Sequence, residues 1–452
     1  MSSSSTSRYL SLRPTNIGPD QTISFKNGFP ILTFSIQSQN AVLDPRSIRI
    51  NGELSVFKDN AVAPTPVAAG DANAVTMDNR LGIYAMWDQL VIRHGKSKQI
   101  CENILHYNKY LSTYLGMTSS KQDLMGHLNE TALCQPNAES MFQHVVVGGL
   151  TKSFSAHLPC GFLQSGNAIN LMENSFGGFD IEIHLSPDSN CLFTRNGVVT
   201  GVEDAHYVLS NLNLSCEVHD IPMDQMATMS QQTSGAIEFN SISSLYTSMN
   251  TSNAQLQFNL GLKKLQSAFM TFVPSTFINT LAQNGLCTVY PSNLDNSLVS
   301  FSRIQFLRGG QKYPAEYDME GNTTIPGNVT TPLVGEFVVA DSQLAKQFAQ
   351  SVIPEFMLDR TSFSNRNLNR DYTMSLTGDG SGASYKDVVD GGSLMGIGMR
   401  YSQYNAGQDF ERQQWGVSLD SNLTTDNPQS VFLFFKARYS LVWSPSGIEI
   451  IR

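Results

Sequence analysis

The stretch Phe179-Asp180-Ile181-Glu182-Ile183-His184-Leu185 alternates apolar and polar residues without a break. Side chains two apart share one face of a β-strand, so this period predicts a strand with one buried and one wetter face. The same period recurs in short runs along the chain. Ile23 and Phe25, then Ile31, Phe34 and Ile36, lie around Asn27-Gly28; Ile48, Ile50, Leu54 and Val56 lie around Asn51-Gly52. Asn-Gly between such runs is a strong hairpin signal, so a turn is expected at each pair. Leu256, Phe258, Leu260 and Leu262 alternate with Gln257 and Asn259, and Val431 to Trp443 is the most apolar run, expected at the centre of a sheet.

Helical signals are few. Lys98 to Met117 sets Ile100, Ile104, Leu105, Leu111 and Leu115 near one face; Ser275 is placed to cap Thr276 to Asn284, and Asp341 to cap Ser342 to Val352 before Pro354. Without long helices or βαβ alternation, the class is all-β with a few short inserted helices. The 452 residues exceed one sandwich core. A break at Asp220-Ile221-Pro222-Met223, followed by polar Thr228 to Gly235, divides the chain near its middle. An echo links the halves: Gln89-Leu90-Val91-Ile92-Arg93-His94-Gly95-Lys96 resembles Arg303-Ile304-Gln305-Phe306-Leu307-Arg308-Gly309-Gly310. The expected division is 1–24 as a flexible N-terminal segment, 25–221 as one unit and 222–452 as a second.

Charged residues make up only 15% of the chain and the net charge is −9, with neutral polar side chains in their place. Large contact surfaces are expected from that balance. The opening segment, with Arg8, Arg13 and Lys26, has no clustered cations of the kind that condense nucleic acid. No apolar run reaches the length of a membrane span, and Met1 to Ser7 does not read as a signal peptide. The six cysteines (Cys101, Cys134, Cys160, Cys191, Cys216, Cys287) are unpaired in spacing and are read as reduced, buried thiols.

Motifs of catalysis are missing: the chain has no G-x-S-x-G, H-E-x-x-H or P-loop pattern. Gly378-Asp379-Gly380-Ser381-Gly382 is read as a surface loop. Asp59, Asp71, Asp78 and Asp88 are too dispersed for a calcium loop, and His206 and His219 lie thirteen apart, unlike a zinc pair. Glu316, Asp318 and Glu320 are read as a solvated acidic trio, although two carboxylates brought together from distant strands would serve a glycosidase. Arg93, Lys96 and Lys98, beside His94, form the densest basic cluster: a polar turn, a subunit contact or a patch facing a genome. No catalytic, cofactor or metal residue is assigned.

Several stretches resemble the double jelly-roll major capsid proteins of double-stranded DNA viruses, the class of virophages, polinton-like viruses and adenovirus hexon. Leu43 to Gly52 resembles the early strands of the first roll. Tyr84 to Ile92, running into the Ile104-to-Leu115 helix, resembles its middle strand and helical insertion, and Ile304-Gln305-Phe306 through Pro314 resembles the equivalent in the second roll. The resemblance implies two eight-stranded jelly rolls per chain. It further implies a pseudo-hexagonal homotrimeric capsomer, and an icosahedral virion enclosing double-stranded DNA that a motor packages. Penton and minor capsid proteins would be partners, assembly would occur in host cytoplasm or nucleus, and there would be no enzymatic activity, cofactor or sequence-specific nucleic-acid binding. On that reading the Ser-rich start and Arg8 to Asp20 form a flexible segment that orders against neighbouring capsomers or minor proteins. Two alternatives stay open: a tandem β-sandwich enzyme or carbohydrate-binding protein, and a shell protein with one jelly roll and an unrelated outer domain.

Overall fold

The computed structural model describes residues 6–18, 21–26, 28, 30–59, 61, 75–78, 81–118, 126–134, 151–194, 198–286, 301–313, 319–323, 396–401, 407–421, 425 and 428–452. β1 (Ser7–Leu12) lies in one sheet and β2 (Ile31–Ile36) in another, and β3 (Ala41–Phe57) returns to the first. After a short β4 (Val75–Met77), β5 (Trp87–His94) and β6 (Ile100–Ile104) extend the second sheet. The helix α1 (Tyr107–Thr118) follows. β7 (Lys152–His157) and the two-residue β8 (Ile169–Asn170) rejoin the first sheet, and β9 (Phe179–Leu185) the second. β10 (Leu192–Thr194) pairs β4, and β11 (His206–Asp220) closes the first sheet. The strand orders are β1-β11-β3-β7 and β2-β9-β5-β6.

A helix, Met223–Ser230, then leads to the second half: β12 (Gly235–Met249), β13 (Asn253–Phe258), β14 (Leu265–Pro274), β15 (Phe301–Arg308), β16 (Gln311–Lys312), β17 (Met319–Thr323), β18 (Gly396–Arg400), β19 (Trp415–Ser421), β20 (Gln429–Ser444) and β21 (Gly447–Ile451). Their orders are β12-β20-β14-β18 and β13-β19-β15-β16, with β17 on β15 and β21 on β20. Without the accessory strands β4, β8, β10, β17 and β21, both halves obey one rule. Every sheet runs first, last, second, third of its own strands, and the chain visits the two sheets in the same alternation. Eight strands wound into two antiparallel four-stranded sheets make a jelly roll, and the chain makes it twice. The echoed segments fall on β5 and β15, equivalent strands of the two rolls.

Alternation sets the cores. β9 and β3 bury every second residue, and β20 sits inside its sheet as its apolar sequence requires. Trp415 stands edge-on against Phe435 at 4.8 Å between ring centroids, joining the two sheets of the second roll.

Several local expectations fail for identifiable reasons. Asn51-Gly52 is not a turn: β3 passes straight through it. The Asn51 amide donates across the sheet to Asn213 (2.9 Å) and Ser215 (3.0 Å) and accepts from the Ser155 hydroxyl (2.6 Å), which fixes it in an extended strand. Gly52 is needed for space, because a Cβ there would lie 2.6 Å from Leu212 and 2.9 Å from Phe154. Gly28 is in a turn at φ +82°, whereas Asn27 lies outside the described residues. In β2 the inward residues are Leu32, Phe34 and Ile36, and Ile31 is exposed.

Lys98 to Met117 is two elements. Residues 100–104 form β6, because spacing of four suits both periods and pairing with β5 decides. His106, at φ +52°, turns the chain into α1. After Ser275 there is only a 3₁₀ turn, Ser275–Phe277. The Asn279 N–H donates to Asn190 (2.9 Å), and the Asn284 amide donates to Asp78 (2.9 Å), so tertiary bonds hold this stretch as irregular turns against the first roll. The stretch 1–24, expected to be flexible, contains β1. Its Arg8 pairs with Asp220 at 3.0 Å. The helix expected at Ser342–Val352 lies outside the described residues.

Candidate functional site: a seam and two sheet faces

The two rolls meet along β6 and β12. Glu102, on β6, is fully buried there and accepts hydrogen bonds from the N–H of Gly161 (3.1 Å), the N–H of Phe162 (2.7 Å) and the hydroxyl of Ser241 (2.5 Å) on β12. Burial pushes its carboxyl above the usual range, and these donors pull the other way. Gly161 permits the approach: a Cβ there would sit 1.9 Å from the Asn240 carbonyl oxygen. Phe162 stands edge-on to Phe239 (5.7 Å) and Phe176 to Trp443 (5.7 Å), so the seam is a continuous aromatic contact around one polar knot.

Helix α1 of the first roll covers the outer face of sheet β12-β20-β14. Phe434 and Phe269 lie opposite one another in register, and Tyr110 packs against them at 5.8 and 6.4 Å. His106 meets Phe432 at 5.1 Å, and the Lys109 ammonium lies 5.0 Å over the same ring while donating to the Gly285 carbonyl. An apolar ring face beneath an ammonium is a favourable contact that also spares the buried charge. Every residue of β14 is buried, one face by its own roll and the other under this cover.

The equivalent sheet of the first roll, β1-β11-β3-β7, has a different outer face. It carries Tyr9, Ser11, Asn51, Glu53, Ser215 and Glu217, half-exposed or exposed, with Tyr9 at 74%. Their polar groups bond to one another: Glu53 accepts from Asn211 (2.8 Å), and the Tyr9 hydroxyl donates to Glu217 (3.3 Å). On this face a polar network that includes two glutamates takes the place of phenylalanines.

The basic cluster resolves into ion pairs. Arg93 meets Glu182 at 2.9 Å, Lys98 meets Asp180 at 2.6 Å, and Lys96 meets Glu173 at 3.4 Å. His94 is buried between Ser97 and the Phe176 carbonyl, and burial lowers its pKa, so it adds no charge near neutrality. The cluster belongs to a self-neutralised turn.

His206 and His219 lie at opposite ends of β11. His206 is stacked on Phe57 at 5.6 Å, and His219 is 3.8 Å from Glu217. Asp59 accepts from the Ala61 N–H and Asp78 from Asn284, so both serve local structure. Asp71, Glu316, Asp318, Cys287 and Gly378 to Gly382 lie outside the described residues. Among the described residues no group of three His, Cys, Asp or Glu side chains could hold a metal ion, and no helix is long and apolar enough to cross a membrane. The five described cysteines are free and buried, and burial raises each thiol pKa. Glu102 and Lys109 gave no sequence signal. A carboxylate and an ammonium in a strand–helix stretch read as surface until a second roll is laid over them.

The fold is the double jelly roll of viral major capsid proteins. Among solved structures, the chain is similar to PBCV-1 VP54, with 10% identity, 100% of this chain and 98% of that one covered, and a TM-score of 0.55. It is similar to the Faustovirus major capsid protein (10% identity, 98% and 91% covered, TM-score 0.55) and to the mavirus major capsid protein (8%, 98% and 90%, TM-score 0.52). No family sequence model and no curated protein sequence matches the chain.

Proposed function

We propose that this chain is a major capsid protein, a structural subunit without catalytic activity that resides in the virion. The observation that carries the reading is the repeated strand order, β1-β11-β3-β7 with β2-β9-β5-β6 and again β12-β20-β14-β18 with β13-β19-β15-β16, on a chain that aligns end to end with viral major capsid proteins. Two rolls joined by a built seam give a rigid two-lobed block, the shape from which three copies make a pseudo-hexagonal capsomer. Such capsomers tile an icosahedral shell around double-stranded DNA, with penton and minor capsid proteins completing it. The division between rolls falls at 221–222, where the helix Met223–Ser230 carries no buried residue and β1 counts with the first roll.

Light scattering on the purified chain tests the reading. A species of three times 49.7 kDa is expected, with regular particles in electron micrographs of the assembled material. A chain that stays monomeric at every concentration and forms no particles would overturn it.

A further inference from the structure

Three basic side chains stand together at β7, the edge strand of sheet β1-β11-β3-β7. His157 lies directly opposite Arg49 of β3 in the antiparallel register, two residues beyond the Asn51–Ser155 pair, so both side chains share the outer face. A short helix, α2 (His127–Ala132), lies over this edge, and its His127 ring meets the His157 ring at 6.2 Å between centroids. The two ends of α2 are held differently. At the C-terminal end Ala132, Leu133 and Cys134 are buried in the core, and the Cys134 N–H donates to the Leu128 carbonyl (3.1 Å). The Ala132 carbonyl lies so close to Gly82 that a Cβ there would be 2.0 Å away. At the N-terminal end Gly126 and His127 are exposed, and His127 rests on His157.

We propose that α2 is an acid-released latch: protonation of the His127–His157 pair beside Arg49 frees the N-terminal end of α2 from β7, while Ala132 to Cys134 keep its other end in the core. The latch belongs to the single chain and does not depend on assembly.

The surroundings supply no compensating negative charge. Arg49 stays charged at every accessible pH. On β3 the next charged group of this face, Glu53, lies four residues on and accepts from Ser210 and Asn211. On β11, Glu217 accepts from Tyr9 and lies 3.8 Å from His219. Glu130 of α2 is exposed, Lys152 lies at the far end of β7, and among the described residues neither ring takes part in an ion pair. A proton on either ring therefore faces Arg49 across the strand pair, the other ring, and the positive N-terminal end of α2. Burial, Arg49 and His127 hold the His157 pKa below its ordinary value, against the backbone hydrogen bond at Ile48. The released segment thus binds the proton more tightly than the closed one. Closure is at full strength above the ordinary histidine range and is lost as pH falls through it toward the lowered value.

Hydrogen exchange on the full chain, with rates corrected for the intrinsic effect of pH, tests the latch. Between about pH 7.5 and about pH 5 the amides of 126–131 should lose protection about tenfold, while those of β9 keep theirs. His157→Gln and, separately, the exposed His127→Gln should each reduce that loss to about twofold or less. The protection of β9 reports that each variant is folded. His219→Gln, on another part of the same face, should leave the full loss in place. Equal protection of 126–131 at the two pH values in the parent, or a loss that persists undiminished in both His127→Gln and His157→Gln, would overturn the latch.

Discussion

Two sheets of the same strand order, β1-β11-β3-β7 and β12-β20-β14-β18, carry opposite chemistry on their outer faces. On the second, Phe269, Phe432 and Phe434 are buried beneath Tyr110, His106 and Lys109 of the first roll. On the first, Asn51, Ser155, Asn213 and Ser215 bond across the strands and stay half-exposed. The inner faces are alike: both alternate and both are apolar. Topology is thus set by the inward residues, and the outward ones record what each sheet must face.

The contrast can be broken from either side. Phe434→Ala removes a ring from beneath α1 and should cost about 3–5 kcal/mol, read from the denaturation midpoint, with α1 amides losing hydrogen-exchange protection first. On the other sheet, Gly52→Ala drives a methyl into Leu212 and Phe154 and should cost about 1–3 kcal/mol by the same measurement.

The seam supplies a pH-dependent case. Because burial holds the Glu102 carboxyl above its ordinary range, the folded chain keeps this proton more tightly than the unfolded one. Its contribution is full below the ordinary carboxyl range and is lost as pH rises through the raised folded value. As pH rises above the ordinary carboxyl range, Glu102→Gln should flatten that decline in the denaturation midpoint, and an unchanged slope would exclude Glu102 as its source. The smallest effect belongs to the polar face. Ser55→Ala breaks only a 3.3 Å contact with Thr151 and should stay within about 0.5 kcal/mol of the parent.

Much of this architecture is legible in the sequence, because period-two burial is a local signal. Phe179 to Leu185, the central run of β20 and the echo between β5 and β15 all lie where alternation and repetition place them. What local pattern does not carry is pairing. Asn51-Gly52 has hairpin chemistry, yet Asn213, Ser215 and Ser155 satisfy the asparagine within a strand, and all three lie more than 100 residues away in the chain. Ser275 has capping chemistry, yet Asn190 and Asp78 capture the residues that would have continued the helix. The seam was invisible for the same reason: Glu102 and Ser241 are 139 positions apart, and nothing near either one announces the other. The basic cluster misleads in the opposite direction, since Glu173, Asp180 and Glu182 neutralise it from another strand and loop.

The segment from Pro222 to Ser234, with its helix Met223–Ser230, is a tether as well as a connection. It keeps β6 and β12 of one chain near each other at an effective concentration on the order of millimolar, whatever the amount of protein made. The aromatic seam therefore closes in a single isolated molecule. A contact with a separate molecule has no such tether and answers to mass action. Closure of the seam is then independent of how much protein is made, and the two rolls are joined before any second molecule is met.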